Sequence, residues 1–304
     1  ACPSVSSFIS IHNMCAWMIS QNGNKHVKKE FLHPMIRMDK ICSYCLTEPD
    51  SGSDSAALST KAERTNEGFR VNGTKSFISG GAFSDIYLTM VRTGEAGPHG
   101  ISALLVEKNT KGLCFGSNEE KMGWKSQPTA QVIFDDCSIS SEQLLGEENK
   151  GFTYAMRGLD GGRLNIAAAA LGGAQTALNI AKKYIKERKA FGKKLSDFQG
   201  LQFKVADMEI AINSSRIFLR EAAWKLDNEK SDAGVYCAMA KKYVTDNAFN
   251  IANNSLQLLG GYGYLTDYGI EKIVRDLRVH QILEGTNEIC LLYTSPSPRD
   301  TIRS

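Results

Sequence analysis

The chain lacks the unbroken apolar run that a membrane-spanning helix needs, so no span is expected. Its basic residues are dispersed, none of them in a run interleaved with aromatics. With a net charge of only +3 they give no reason to expect nucleic acid as a partner. No G-x-G-x-x-G opens a helix and there is no Walker loop, so neither a nicotinamide dinucleotide nor ATP is indicated. Cysteine builds no framework. The eight residues, Cys2, Cys15, Cys42, Cys45, Cys114, Cys137, Cys237 and Cys290, are scattered through apolar or helical contexts, as reduced thiols are. Cys42-Ser43-Tyr44-Cys45 is a C-x-x-C, yet no second pair and no histidine lies at ligand spacing. It runs into Leu46-Thr47-Glu48-Pro49, a strand and turn rather than a redox helix, so no metal is expected. An initiating Met, a signal peptide and a transit peptide are absent too, and targeting is not legible.

What is present is an ordinary globular composition, 42% hydrophobic and 23% charged over 304 residues, enough for roughly two domains. Between residues 8 and 40, Ile11, Met14, Cys15, Met18 and Ile19 recur at helical spacing. Phe31, Met35 and Met38 continue the pattern beyond a polar turn at Asn22-Gly23-Asn24, which predicts a buried helical hairpin with Pro34 starting a short turn. Residues 41–150 change period. Phe69 to Gly73, Asp85 to Val91, Ile101 to Val106 and Gln131 to Phe134 read as strands, punctuated by Gly, Asn, Ser and Pro. None is followed by a long amphipathic helix, so an antiparallel barrel or sandwich is expected rather than a parallel sheet. Helix returns afterwards. The alanine-rich stretch 167–186 is one helix, and Leu201, Val205, Met208, Ile212, Leu219, Ala223 and Leu226 trace a second. Val235, Met239, Tyr243, Phe249 and Leu256 mark a third, with Ser231-Asp232 as cap and Gly260-Gly261 as stop. Short links between long helices predict an antiparallel bundle. The expected order is an α+β one: a remnant of a helical domain (1–42), a β domain (43–150), a helical bundle (151–289) and a stretch (290–304) whose Leu291-Leu292-Tyr293-Thr294-Ser295-Pro296-Ser297-Pro298-Arg299-Asp300 reads as an adapter-derived, non-native tail.

Six stretches could carry chemistry. Tyr44-Cys45-Leu46-Thr47-Glu48-Pro49-Asp50-Ser51-Gly52-Ser53 is a strand running into a hydroxyl- and glycine-rich loop, able to offer N–H groups to a heterocycle or phosphate, or to be a solvated turn. Phe77-Ile78-Ser79 before Gly80-Gly81 could stack on a ring system or belong to the core. Asp160, in Gly158-Leu159-Asp160-Gly161-Gly162-Arg163, could cap the following helix; Arg188 beside Phe191-Gly192 suits a pyrophosphate or a surface basic cluster. Gln257-Leu258-Leu259-Gly260-Gly261 is a helix end whose backbone could meet a ligand or close the helix. Finally, Glu284 stands directly before Gly285, at a break between helices, where a carboxylate can be presented as a base.

Together these stretches, in this order across residues 8–289, resemble the acyl-CoA dehydrogenase family. The resemblance implies an N-terminal helical domain, a middle β domain and a C-terminal four-helix bundle, assembled as a homotetramer around non-covalent FAD. It implies that Tyr44, Cys45, Leu46, Thr47, Glu48, Pro49, Asp50, Ser51, Gly52, Ser53, Phe77, Ile78 and Ser79 line the flavin ring. Arg188, Phe198, Gln199, Gln257, Leu258, Leu259, Gly260, Gly261, Thr286, Asn287 and Glu288 would meet the rest of FAD, partly from a neighbouring subunit. Ser53, Asp160, Gly161, Gly162 and Arg163 would hold the acyl-CoA, and Glu284 would remove its α-proton. The implied reaction is oxidation of a short branched acyl-CoA to the 2,3-enoyl-CoA, with electrons leaving through electron-transfer flavoprotein in the mitochondrial matrix. Isobutyryl-CoA, from valine degradation, is the first candidate and 2-methylbutyryl-CoA the alternative. A non-catalytic scaffold using the same fold is the alternative from another class. The chain departs from the family pattern in lacking most of the N-terminal helical domain, in carrying Asp50 where a glycine is usual, and in its tail.

Overall fold

A computed structural model describes residues 2–294 of the chain. The chain is a mixed α+β protein with a curled β-sheet middle domain and a helical C-terminal domain, forming two compact units. One comprises residues 8–121 and 125–159, the other residues 2–7, 122–124 and 160–294.

The first unit opens on α1 (Pro3–Asn22, counted here from Phe8), whose Met14, Cys15, Met18 and Ile19 are all buried. The hairpin's second arm is one helical run: α2 (Lys25–Val27), a π-turn (Lys28–Leu32) and α3 (His33–Ile36). Pro34 stands in the first turn of the short α3, as expected, although the helical run continues through it. The widened turn, in which His33 N–H reaches back five residues to the Lys28 carbonyl, loosens the ladder where the proline has no N–H to give. The sheet then gathers β1 (Cys42–Cys45), β2 (Lys61–Arg64), β3 (Gly68–Ser79), β4 (Ile86–Arg92), β5 (Ile101–Glu107), β6 (Leu113–Phe115) and β7 (Thr129–Ser140). Most neighbours pair antiparallel, but β1 runs parallel to β4 in register from Cys42 opposite Ile86 to Cys45 opposite Thr89. β4 and β5 are buried on both faces, which is why they read as continuous apolar runs. The sequence ends one strand at Gly73 and another at Asp135-Asp136; both continue. One register shift in the β3–β7 pairing, between Val71 and Gly73, lies opposite Asp136, whose φ of 55° bends the strand without breaking it.

The second unit is built on α4 (Gly151–Glu187, from Asp160), α5 (Gln199–Asp227) and α6 (Ala233–Leu259), followed by α7 (Ile270–Arg278) and α8 (Asn287–Thr294). A small hairpin, β8 (Lys189–Ala190) with β9 (Lys193–Lys194), joins α4 to α5. Alanines 167, 170, 174, 177 and 181 form the buried seam of α4 and share one core cluster with Val244, Ala248, Ile251 and Ala252 of α6. Two expectations are corrected. Asp160 caps nothing, because α4 starts nine residues earlier and passes straight through Gly158, Gly161 and Gly162. Within the first unit Gly158 admits Met18: a Cβ there would stand 2.7 Å from the Met18 sulfur, so the glycine is a packing device and not a helix boundary. Asp232 does stand at the start of α6, but its carboxylate pairs with Lys225 at 2.7 Å and makes no capping bond. α6 ends where expected, at Gly260 with φ 58°. Residues 295–304 of the expected non-native tail lie outside the described residues, whereas Cys290 to Thr294 belong to α8.

Candidate active site

After α7 the chain makes one tight turn, Val279–Gln281, pinned by a fully buried imidazole. His280 Nδ1 donates to the Ile166 carbonyl at 3.1 Å, so its Nε2 is the acceptor for the Trp124 indole N–H at 3.3 Å. Burial pushes this histidine down to about 4, against the pull of its bond to Ile166, and the ring is neutral. The Trp124 backbone N–H, in turn, donates to the buried carboxylate of Asp276 at 2.6 Å.

Glu284 and Gly285 then reverse the chain into α8, with φ of 57° and 82°. A left-handed glutamate is strained, on the order of 1–3 kcal/mol, and persists only where its surroundings enforce it. Two buried cations do so. Arg163 Nε donates to the Glu284 carbonyl at 3.4 Å, and Lys241 Nζ donates to the Gly285 carbonyl at 2.8 Å. Lys241 also donates to Asn287 Oδ1 at 2.9 Å, while the Asn287 amide donates to Thr245 Oγ1 at 3.0 Å and to Asp246 at 2.7 Å. The residue Glu284 is half-buried as a whole, yet its Oε2 is enclosed and meets no hydrogen-bond donor. Burial therefore raises the Glu284 carboxyl to about 7, against the opposing charges of Arg163 and Lys241. The geometry leaves a carboxyl able to exchange a proton near neutrality; the break before Gly285 was legible in the sequence, and its supports were not.

Arg163 was expected at the substrate. It is buried and its NH1 holds Asp160 at 3.0 Å, so its seen partners are the helix it stands on and the Glu284 turn. Burial raises the Asp160 carboxyl, with Arg163 acting against it. Asn287 is likewise turned inward, its amide engaged with Lys241, Thr245 and Asp246; Thr286 Oγ1 accepts from the Ile289 N–H at 3.3 Å, and Glu288 is exposed. Elsewhere in this unit Arg188 and Gln257 to Gly261 line one cleft of about 680 Å³, with Tyr184, Lys204 and Tyr262. The Arg188 guanidinium lies 5.6 Å from the Tyr262 ring centroid. Phe198 and Gln199 do not line that cleft; Phe198 packs edge-on to Phe191, with Lys193 4.2 Å from its ring centroid.

In the sheet unit the predicted loop divides into what faces out and what supports it. Thr47, Pro49, Asp50, Gly52, Ser53, Phe77 and Ser79 are accessible, whereas Cys45, Leu46, Glu48, Ser51 and Ile78 are buried. Glu48 closes the turn by exchanging backbone hydrogen bonds with Ser51. Its carboxylate accepts from Ser59 N–H (2.6 Å), the Ser59 hydroxyl (2.8 Å), Thr60 N–H (2.9 Å) and the buried Lys75 ammonium (2.7 Å). Burial alone would raise this carboxyl, but Lys75 and those donors hold it down to about 2. Asp50 stands at no positive φ, so the loop closes without the glycine usual there. Phe77, at φ 57° in a bulge of β3, is 68% exposed and is not core. Sequence reading missed Gln127, whose Nε2 donates to Ser79 Oγ while its Oε1 is enclosed without a donor.

The comparisons with known proteins supply the class, a flavin-dependent acyl-CoA oxidoreductase. The acyl-CoA dehydrogenase middle-domain profile matches residues 43–137 and the C-terminal-domain profile residues 149–294. The chain belongs to the acyl-CoA dehydrogenase family. It is 53% identical over 293 residues to a mitochondrial isobutyryl-CoA dehydrogenase of Dictyostelium discoideum, covering 96% of this chain and 70% of that one. It is 49% identical over 296 residues to the Bos taurus mitochondrial isobutyryl-CoA dehydrogenase, covering 97% and 71%. Among solved structures, butyryl-CoA dehydrogenase from Megasphaera elsdenii superposes with a TM-score of 0.92 at 38% identity, covering 99% and 77%. A chain from a solved structure described as "Electron transferring flavoprotein of Acidaminococcus fermentans" also superposes at 0.92, with 39% identity, covering 99% and 78%. The family is FAD-dependent, and the residues fit FAD. The orphaned Gln127 oxygen beside Ser79 wants an N–H donor, the exposed Phe77 is a free aromatic face, and the Arg188 cleft is open and cationic.

Proposed function

We propose that the chain oxidises a short branched acyl-CoA, isobutyryl-CoA in valine degradation, to the 2,3-enoyl-CoA, with Glu284 as the base. The observation that carries this reading is the enclosed, donorless Glu284 oxygen on a turn held by Arg163 and Lys241. A thioester α-carbon is a poor acid and an ordinary glutamate a poor base. Dry surroundings that lift the carboxyl to about 7 narrow that mismatch, because a base is most effective with its pKa near the working pH. The Cα–H bond breaks, Glu284 takes the proton, and the electron pair forms the new double bond. Bound FAD supplies the oxidant that accepts the β-hydride.

In this reading the loop Tyr44 to Ser53 with Phe77, Ser79 and Gln127 holds the flavin ring. Arg188 and Gln257 to Gly261 hold the phosphate and adenosine end, with contributions from Phe198, Gln199 and Thr286. Asp160 to Arg163 lie beside the acyl-CoA. The protein would act as a homotetramer in the mitochondrial matrix and pass electrons to electron-transfer flavoprotein. The isobutyryl-CoA dehydrogenases at 53% and 49% identity support the substrate and the compartment, and the Acidaminococcus neighbour supports the acceptor. The test is bleaching of the flavin absorbance by isobutyryl-, 2-methylbutyryl- and butyryl-CoA. Isobutyryl-CoA is expected to reduce fastest; preference for either competitor removes the substrate assignment and leaves the base untouched.

A further inference from the structure

Lys241 is a charge in the wrong place. It lies on the buried stripe of α6 between Cys237 and Val244, Thr245 and Ala248, and it is fully enclosed. An ammonium in such a site costs several kcal/mol unless it is paired and hydrogen-bonded, and an apolar residue would serve packing as well or better. Its ammonium donates to the Gly285 carbonyl (2.8 Å) and to Asn287 Oδ1 (2.9 Å), both on the turn that presents Glu284. No carboxylate makes a salt bridge to it among the described residues.

We infer that Lys241 is a positioning residue for the dehydrogenation: it fixes the left-handed Glu284–Gly285 turn and supplies the buried positive charge that keeps Glu284 ionised in a dry site. This rests on the reading of Glu284 as the base. Burial drives that carboxyl upward, and Arg163 and Lys241 are the charges that act against it. Loss of either would move the balance at neutral pH further toward the protonated acid, the form that cannot accept a proton. Other ionisable groups share the neighbourhood: Asp246 on α6, Glu288 and Cys290 on α8, Asp160 beside Arg163, and the neutral His280. Asp246 is engaged with Gln281, Lys242 and Asn287, and the Cys290 thiol is raised by burial and stays neutral. Lys241 itself is lowered to about 8 by burial, against Cys290 and Glu284, and is charged at pH 7.

The test compares Lys241→Met, Lys241→Gln and Lys241→Arg in the FAD-loaded protein, with Glu284→Gln as control. Two readouts are taken: the acid limb of kcat/KM, and the pH midpoint of the protonated-carboxyl infrared band that is absent from Glu284→Gln. Removing the charge raises the Glu284 pKa. Both midpoints are therefore expected to move up by about one pH unit in Lys241→Met, with kcat at neutral pH down roughly tenfold. Lys241→Gln keeps an N–H donor without the charge; it should show the same shift and serves alone if the methionine variant does not fold. Lys241→Arg should return both midpoints toward wild type. Unchanged midpoints in the neutral variants overturn the inference, leaving Lys241 as structure only. Full turnover by Glu284→Gln overturns instead the base assignment, so the two failures are distinct.

Discussion

Each unit of this protein buries a glutamate, and the two are treated in opposite ways. Glu48, in the sheet unit, is surrounded: two backbone N–H groups, a hydroxyl and the Lys75 ammonium donate to it, and it is held down to about 2. Glu284, in the helical unit, keeps one enclosed oxygen with no donor at all and is raised to about 7. The hydrogen bonds that Arg163 and Lys241 are seen to make near it end on the carbonyls of its turn. Burial acts on both acids in the same direction, so the difference lies in the donors. A carboxylate given every donor it can use is fixed as an anion and becomes part of the scaffold. One denied them remains able to exchange a proton. The same side chain is thus a clamp in one unit and a candidate catalyst in the other.

The comparison is broken most severely by exchanging what each acid does. Glu284→Gln removes the proton acceptor while keeping the shape. Turnover, followed by flavin bleaching, is expected to fall ~10²–10⁴-fold, with FAD retained and no loss of thermal stability, since an unsatisfied buried charge has been deleted. Lys75→Met should do the reverse. It strands the Glu48 anion in the sheet unit and is expected to lower stability by about 3–5 kcal/mol in denaturant titrations. The double variant Glu48→Met/Lys75→Met should recover most of that loss, because the apolar pair leaves no charge behind. If Lys75→Met cost nothing in stability, the clamp role of Glu48 would be wrong.

How far this contrast could be read from the chain follows from what each signal depends on. Glu284 beside Gly285 was visible because a glycine after a helical stretch marks a break, and the helices α5 and α6 were visible through their periodicity. Lys241 was overlooked although its place was legible: a lysine spaced four after Cys237 and three before Val244 on an otherwise apolar stripe. The glycines around Asp160 misled, since α4 runs through all three, and at Gly158 the missing side chain makes room for Met18. The parallel pairing of β1 with β4 left no mark either, because periodicity reports a strand and its buried face but not its neighbour. The donors around Glu48 come from residues 11, 12 and 27 positions away, and no local pattern encodes them.

The contrast is sharpened by pH. For Glu48 the folded value, about 2, lies below its ordinary 4.5, so its contribution to stability is complete above 4.5 and is lost as pH falls toward 2. For Glu284 the folded value, about 7, lies above 4.5, so its contribution is complete below 4.5 and is lost as pH rises through 7. Each is worth on the order of 3 kcal/mol. Stability measured from pH 2 to 8 should therefore rise and then decline. In Glu284→Gln the decline between 4.5 and 7 should flatten, and the rise at low pH should remain.

The smallest expected effect is the one that separates strain from charge. Gly285→Ala places a methyl in ordinary van der Waals contact with Ile289, at 3.5 Å, and with the Arg163 guanidinium, at 3.7 Å, so no clash arises. It does ask an L-residue to hold φ of 82°, which costs about 1 kcal/mol. If the turn yields to that strain, the Glu284 carboxylate shifts while Arg163 and Lys241 keep their charges. The expected signature is a modest fall in kcat with the acid limb of kcat/KM unmoved, opposite to the displaced limb expected when Lys241 loses its charge. A displaced limb in Gly285→Ala would mean that the backbone turn, and not the two buried cations, sets the basicity of Glu284.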